Sequence, residues 1–409
     1  LTDTETYYAM CGDSGGASKS KVRANFGQKP FKYAPPEGFG PLCISNETRP
    51  GNARPDQYIQ PVIWTGDRSG SGQLTRHIST NNLYQPDLVW IKQRDQAYST
   101  GWQIYDSVRG AANDKELDCS SSAIEGAGNI EQYGWVDKFD KTGFTVKGGT
   151  TDYDYVDKSS VDYVAYCWKA GGNTATWNID GKGYASAAAA GLGGGDITPT
   201  GASVTTEAGF SIISYTGNGN NSAQGIPHGM GKTPAFVITK ALEATGDVEN
   251  WRCYHQSLGA TKYIELSETN VAGSFTDWAN TAPTSTYFYV GGTNNTQPAN
   301  EPKDYILYAW ADIPGVQKFG SYDGNQSTKG PFIELGFRPA LLWIKSSTAS
   351  STNWRVMDNQ RSTFNNGVND STSEGGPWLK LNTNAVEADE RPVDFLSNGF
   401  KIQGSWGGD

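Results

Sequence analysis

Short apolar runs that directly follow a proline recur three times along the chain. They read QPDLVWIK at 85–92, TPAFVITK at 233–240 and RPALLWIK at 338–345. Aliphatic, β-branched and aromatic residues in such short runs favour strands. Proline marks the strand start, because it cannot donate a hydrogen bond in the middle of a ladder. The pattern therefore predicts three equivalent strands.

Two further signals repeat with these runs. A tryptophan follows each run after a short polar loop, at Trp102, Trp251 and Trp354. A closing strand, YVAYCW at 163–168, recurs as YILYAW at 305–310. Recurrence at one position within a chain favours a core role for these tryptophans, rather than a sugar-stacking role.

The third repeat is incomplete at its end. A Gly-Phe pair opens a strand at Gly143 in the first repeat and at Gly399 in the third, but no closing strand follows the third copy. A β-unit without its last strand leaves an open edge. We predict that the natural chain continues or that another segment supplies this strand.

The predicted fold class is all-β, with tandem β-sandwich units of the concanavalin or jelly-roll kind and few helices. A break rich in Gly, Ala and Thr predicts a linker, with an ordered arm packed on a neighbouring subunit as the alternative. The predicted domains are, in order, a partial sandwich, repeat one, the linker, repeat two and repeat three: 1–57, 58–172, 173–208, 209–315 and 316–409.

The net charge and the hydropathy of the chain argue against some classes of function. The chain carries 33 Lys and Arg against 43 Asp and Glu, a net charge of −10, which argues against binding to a nucleic-acid backbone. No apolar run approaches 18 residues, so no membrane insertion is expected. No nucleotide motif is present, and we expect no cofactor.

The cysteines do not indicate a disulfide framework. They are five in number, widely spaced and without a CxxC pair. Between repeats, Cys253 takes the place of Ile104 and Cys167 that of Ala309, which favours packing over nucleophilic chemistry. Cys119 lies in a polar stretch, and the sequence suggests an exposed thiol there.

The histidines and the acidic residues give no defined catalytic site. His255 takes the place of Asp106, so the repeats share a polar residue and not a base. Asp152, Asp154 and Asp157 carry oxygens that could bind calcium, but the run lacks the glycine and final glutamate of an EF-hand loop. We predict neither catalytic residues nor a metal site, and we keep these three aspartates as calcium candidates beside a solvated loop.

Aromatic residues that do not recur between repeats are the candidates for ligand contact. In predicted loops they could stack on sugar rings or contact a partner. This set consists of Tyr133, Trp135, Tyr153, Tyr155 and Trp278.

Several strings resemble a known group of proteins. NFGQKPFKYAPPEGFGPLC resembles the end of SPRY-like, concanavalin-type domains in virion proteins of tailed phages, marine phages especially. PDLVWIK, WQIYDSVRGA, GFTVKGG and YVAYCWKAGG resemble an uncharacterised domain that follows it there. GFSIISYTGNG with IPHGMGKTPAFVITK, and FGSYDGN with LGFRPALLWIK, resemble further copies.

The resemblance implies a virion structural protein of a tail fibre or other appendage, assembled in the host cytoplasm. The implied partners are the chain itself in a homo-oligomer such as a trimer, other virion proteins and a host-surface glycan. Multivalent presentation of loops would provide attachment without an enzymatic activity. The alternatives are a capsid decoration protein, a polysaccharide depolymerase with two paired carboxylates, and a secreted carbohydrate-binding protein.

Overall fold

The apolar runs form inner strands of three β-units. The computed structural model describes residues 54–403 except 82, 96–99, 245–248, 298–301, 328, 362–375 and 391–392. A 3-10 helix Pro55–Gln57 precedes the first repeat. The first repeat contains, in chain order, β1 Ile59–Thr65, β2 Thr75–Ser79, β3 Leu88–Gln93, β4 Gln103–Asp106, α1 Ile130–Tyr133, β5 Trp135–Asp140, β6 Gly143–Lys147 and β7 Asp162–Trp168.

The second and third repeats contain related but not identical sets of strands. Before the second come β8 Trp177–Ile179, β9 Lys182–Tyr184 and β10 Gly201–Thr205. The second contains β11 Phe210–Thr216, β12 Gln224–Pro227, β13 Pro234–Ala241, β14 Arg252–His255, β15 Lys262–Glu265, β16 Gly273–Ser274, β17 Tyr287–Val290 and β18 Asp304–Ala311. The third contains β19 Lys329–Glu334, β20 Leu341–Ile344, β21 Arg355–Asp358, β22 Gly376–Lys380, β23 Ala388–Glu390, β24 Val393–Leu396 and β25 Gly399–Gln403.

Each repeat pairs an inner sheet with a smaller outer sheet. In the first repeat the inner order is β1-β7-β3-β4 and the outer order is β2-β6-β5. Successive strand residues point to opposite faces, so Leu88 and Trp90 of β3 enter one apolar cluster, whereas Val89 and Ile91 enter another. The second cluster lies between the two sheets of the repeat. The all-β prediction is therefore confirmed.

The recurrent Gly-Phe pair has a steric cause. Gly143 pairs with Ser79, and Gly399 pairs with Glu334, at equivalent places in the outer sheets. A Cβ atom at either glycine would lie 2.0 Å from a carbonyl oxygen of the partner strand. The approach of the two backbones requires glycine at both places.

The segment 173–208 is an ordered part of the second repeat, and the prediction of a flexible linker is wrong for it. Strand β10 pairs antiparallel with β11 and parallel with β8, which extends the inner sheet to nine strands. Leu192 and Val204 are buried in the apolar cluster of that repeat. Alternating apolar residues between the glycines supply this packing, and the arm lies on its own chain.

The inner faces of all three repeats meet in one shared core. Its centre includes Trp90, Trp168, Phe236, Trp310 and Trp343, with ring centroids 5.0 Å apart for Trp90 and Trp343 and 5.8 Å for Phe236 and Trp310. Residues Ala53–Asp409 accordingly form one compact unit. The individual domain boundaries stay predictions, and residues 1–53 of the predicted partial sandwich lie outside the described residues. No helix in the described part of the chain is long and apolar enough to span a membrane.

Candidate functional site

The three recurrent tryptophans join each repeat to the next. The Trp102 Nε1 atom of the first repeat donates to the Lys380 carbonyl of the third at 2.9 Å. Trp251 of the second repeat donates to the Asp118 carbonyl of the first at 3.0 Å. Trp354 of the third donates to the Glu265 carbonyl of the second at 2.8 Å. The repeats therefore contact one another in a closed ring, and we call their three boundaries the seams.

The lysine that ends each apolar run lies at the same seams. Lys92 donates from Nζ to the Asn384 carbonyl at 3.1 Å, Lys240 to Ser122 at 2.8 Å and Lys345 to Thr269 at 3.3 Å. The acceptor lies four residues after the acceptor of the tryptophan in every case. The recurring lysine is therefore a structural donor to the neighbouring repeat.

Burial changes the acid-base behaviour of these lysines. Desolvation lowers the pKa of Lys240 to about 7, and lowers the pKa values of Lys92 and Lys345 to about 8. A lysine with such a pKa could act as a nucleophile in an open site. Lys240 is fully buried, however, and its Nζ atom also donates to the carbonyl of Glu249.

A backbone hydrogen bond completes every seam. The Glu387 amide donates to the Arg94 carbonyl at 2.7 Å, and the Ala272 amide donates to the Ser347 carbonyl at 2.9 Å. The third of these bonds runs from the Glu125 amide to the Leu242 carbonyl, at 3.3 Å. Tryptophan, lysine and backbone contacts thus recur in the same order at each seam.

Two of the seams also contain a buried ion pair. The Arg109 guanidinium contacts Asp106, and the hydroxyl of Tyr308 from the second repeat donates to Asp106 Oδ2 at 2.7 Å. Across the seam of the first and third repeats, Tyr166 donates to Asp358 Oδ2 at 3.0 Å, beside Arg361. Both aspartates are fully buried, so each tyrosine hydroxyl satisfies a carboxylate that has no access to water.

Other side chains stand at these positions in the seam between the second and third repeats. His255 and Leu258 stand there at the positions of Asp106 and Arg109. Leu258 packs against the shared core, and burial lowers the pKa of His255. Histidine and leucine thus replace, at this seam, the aspartate and arginine of the other two repeats.

A cleft opens where the first repeat meets the third. Its volume is about 260 Å³, and its lining consists of Arg94, Asp95, Asp162, Val386 and Glu387. Arg94 binds Glu387 through two hydrogen bonds of 3.0 and 2.9 Å, while the side chain of Val386 is 37% exposed. The cleft offers two aspartates and an apolar side chain to a polar ligand. It contains none of the predicted site residues.

Most of the predicted ligand-contact aromatics are buried, and the prediction that they lie at the surface is wrong for three of them. Trp278 is 0% exposed and its Nε1 atom donates to the Lys262 carbonyl at 2.9 Å. Tyr153 and Trp135 are also buried. Tyr133 and Tyr155 are partly exposed and lie together, with ring centroids 5.3 Å apart. Three of the five aromatic residues that do not recur between repeats are therefore core residues.

The acidic run is paired with cations of the same chain. Lys158 Nζ lies 3.0 Å from Asp152 Oδ2 and also contacts Asp154. Arg76 lies 2.6 Å from Asp157, whose pKa burial raises to about 6. No cluster of three or more His, Cys, Asp or Glu side chains that could hold a metal occurs among the described residues. The side-chain charges of this run stabilise its own loop.

The described thiols and the buried histidine are enclosed. Cys119, Cys167 and Cys253 are 0% exposed, and burial raises the pKa of each thiol. The expectation of an exposed Cys119 is wrong, because its Sγ atom lies in the shared core and donates to the Leu381 carbonyl at 3.0 Å. Burial likewise lowers the pKa of His228 to about 4.

Sequence reasoning did not find the seam residues as one site. Lysine and tryptophan do recur in all three repeats of the sequence. The sequence pattern alone places the lysine at a strand end and the tryptophan in the core, and it assigns neither to a contact between repeats. Alignment of the copies also shows aspartate with arginine in two repeats and histidine with leucine in the other. That covariation could have indicated the ion pair within each repeat, Asp106 with Arg109 and Asp358 with Arg361.

The fold and the seams define an all-β protein built from three β-repeats around a common core. The chain belongs to the family described as a domain of unknown function, DUF7483, whose model matches residues 54–408. Searches of curated proteins and of solved structures found no match.

Proposed function

We propose that this chain is a structural and adhesive component of a phage tail fibre or a similar virion appendage. The closed ring of equivalent seams carries the proposal. Nine recurring hydrogen bonds, three at each seam, fix the repeats to one another and hold their surface loops in constant relative positions. A rigid module of this kind suits repeated attachment, in which several weak contacts act together.

The resemblance of several strings to virion proteins of tailed phages supports the same proposal. The burial of the three described cysteines and of Lys92 and Lys240 supports a structural use of these groups. Within this function, the cleft at the first and third repeats is the surface that we assign to the host glycan. Its aspartates can accept hydrogen bonds from sugar hydroxyls, and Val386 can contact an apolar sugar face.

Immunogold electron microscopy of purified particles tests the structural role. Antibodies raised against the full chain should label fibres or the tail. Label over the capsid would instead support a decoration protein. If particles contain the protein on an immunoblot but are not labelled, the epitopes are masked. Denatured and partly dissociated particles are therefore labelled in parallel. Absence of the chain from purified particles would overturn the proposal.

A pair of matched variants tests the adhesive role. Val386 at the cleft and Val271 at the equivalent place of another seam are both 37% exposed. Val386→Asp should reduce binding of the full chain to host cells about tenfold or more, because a carboxylate would be added beside Asp95 and Asp162. Val271→Asp should leave binding unchanged. Equal effects of the two variants would show that the cleft does not bind the receptor.

A further inference from the structure

In two of the three repeats an arginine packs on an aromatic ring at the edge of the inner sheet. The Cζ atom of Arg252 lies 3.8 Å from the ring centroid of Tyr263, and that of Arg355 lies 4.3 Å from the ring centroid of Trp378. Arg252 also binds Glu265 at 2.7 Å. An aromatic face beside a carboxylate is a favourable environment for a guanidinium group.

The first repeat has the same place without an arginine. The pairing of the strands aligns three positions of the first and second repeats: Gln103 with Arg252, Glu116 with Tyr263 and Asp118 with Glu265. The first repeat thus has an amide at the place of the cation, and two carboxyl groups where the second repeat has one. Acceptors are enriched at this place.

The acceptors of the first repeat are buried. Gln103 is 3% exposed and Glu116 is 4% exposed. Gln103 Nε2 donates to Glu116 Oε1 at 3.4 Å, while Gln103 Oε1 has no hydrogen-bond partner in the described part of the chain. Buried amide oxygens normally accept a hydrogen bond, so this atom can take a donor from a ligand.

The cations that act on these carboxyl groups have other partners. Arg109 lowers the pKa of Glu116, but its guanidinium contacts two other carboxylates. Lys92 lowers the pKa of Asp118, but its Nζ atom donates to two backbone carbonyls. Burial nevertheless raises the pKa of Glu116 to about 8, and the nearby Asp118 adds to this shift. A further cation would therefore stabilise the charged form of Glu116.

Two tyrosines bring aromatic rings to the same place. Tyr133 and Tyr155 are partly exposed, with ring centroids 5.3 Å apart. Burial raises the pKa of Tyr155, and the nearby Glu116 raises it further. Gly128 is exposed above the carboxyl group, where a Cβ atom would lie 3.0 Å from Glu116 Oε2. Glu116 therefore lies directly beneath the surface, beside two aromatic rings.

We propose that Gln103, Glu116 and the tyrosine pair bind the guanidinium group of an arginine from a partner protein. The Glu116 carboxylate and Gln103 Oε1 accept hydrogen bonds from its N–H groups, and a tyrosine ring packs on its plane. The complex would reproduce the arginine, carboxylate and ring that the second repeat contains within one chain. This arginine site shares no residue with the cleft of the first and third repeats, so it stands or fails independently of the proposed glycan contact.

Binding of acetyl-arginine amide to the full chain tests the proposal. At about pH 9, where Glu116 is ionised, an NMR titration should show saturable binding. Acetyl-citrulline amide, the uncharged analogue, should bind about tenfold or more weakly. Glu116→Gln should weaken binding of the arginine probe about tenfold or more. The matched control Glu131→Gln, at an exposed glutamate of α1, should leave binding unchanged.

A second variant supplies the cation from the chain itself. Gln103→Arg restores the residue type of the other two repeats and should reduce binding of acetyl-arginine amide about tenfold or more, because its own guanidinium fills the site. Gln103→Met has a similar length without a charge and should keep binding within about fivefold, since it loses one neutral acceptor. Thermal denaturation of both variants verifies that they fold.

The pH dependence of binding separates the site from a purely structural role of Glu116. The other titratable groups that act on Glu116 are Asp118, Arg109, Tyr105 and Tyr155. Affinity should rise with pH up to about 8 as Glu116 loses its proton, and this rise should be absent from Glu116→Gln.

Three results would overturn the proposal. They are failure of the arginine probe to bind the full chain, equal binding of the citrulline analogue, and unchanged binding after Glu116→Gln. Any of them would leave Glu116 as a structural partner of Gln103.

Discussion

The hydroxyl of Tyr308, on the closing strand of the second repeat, donates a 2.7 Å hydrogen bond to Asp106 Oδ2 in the first repeat. Asp106 is fully buried and also contacts the guanidinium of Arg109. The closing strand therefore completes its own sheet and satisfies a charge in its neighbour. Folding of one repeat and assembly of the ring are coupled through this bond.

Tyr308→Phe should lower the free energy of unfolding by about 1.5–3 kcal/mol, because a buried charged acceptor loses a donor while the ring remains in place. Chemical denaturation measures the change. Tyr289→Phe, at a partly exposed tyrosine of the same repeat, is the control and should change stability by less than about 0.5 kcal/mol. Equal values for the two variants would contradict the coupling of repeats through Asp106.

His255→Asp should destabilise the protein, because it places a carboxylate beside Leu258, where the other two repeats have an arginine. His255→Asn is the matched control without the charge. Adding Leu258→Arg to His255→Asp should recover part of the loss, as Arg109 does for Asp106. A double-mutant cycle by thermal denaturation measures the coupling, and additive effects would show that the two positions do not form a pair.

Lys240 should make stability depend on pH. Burial lowers its pKa from 10.5 to about 7, so between these values the unfolded chain binds more protons than the folded chain. The free energy of unfolding therefore rises with pH, relative to that of Lys240→Met, by up to about 1.4 kcal/mol per pH unit. Denaturation of both proteins from about pH 7 to about pH 9 measures the difference. The exposed Lys262→Met should show no such trend, and parallel curves for Lys240→Met would contradict the assignment.

Cys119, Cys167 and Cys253 should resist alkylation until the protein unfolds, because each thiol is fully buried and its pKa is raised. Cys11 and Cys43 lie outside the described residues, so the experiment uses the Cys11→Ser, Cys43→Ser protein. Iodoacetamide labelling with mass spectrometry should detect no modification under native conditions and modification of all three thiols in denaturant. Native labelling of Cys119 would show that its seam opens.

Internal comparison of the sequence predicted much of the local structure. Prolines and short apolar runs gave the positions of β3, β13 and β20, and alternation gave β7 and β18. Ile104 stands at the position of Cys253 in another copy, which predicted that Cys253 is a core residue. The burial of Cys253 confirms this prediction. The burial of Cys119 and of the aromatic residues that do not recur between repeats was predicted less well. It depends on how one loop packs under another, and those contacts are not repeated between the copies.

The sequence by itself determined the strand class and the recurrence of three similar strand patterns, because side-chain alternation and turn residues act over a few neighbours. Only the tertiary structure decided that the repeats form a ring and that segment 173–208 joins a sheet. It also decided that Lys240 is a buried donor to the carbonyl of Ser122, which lies 118 residues away. Contacts at such separation depend on how whole sheets pack, and a local pattern carries no information about which distant carbonyl will face a given side chain.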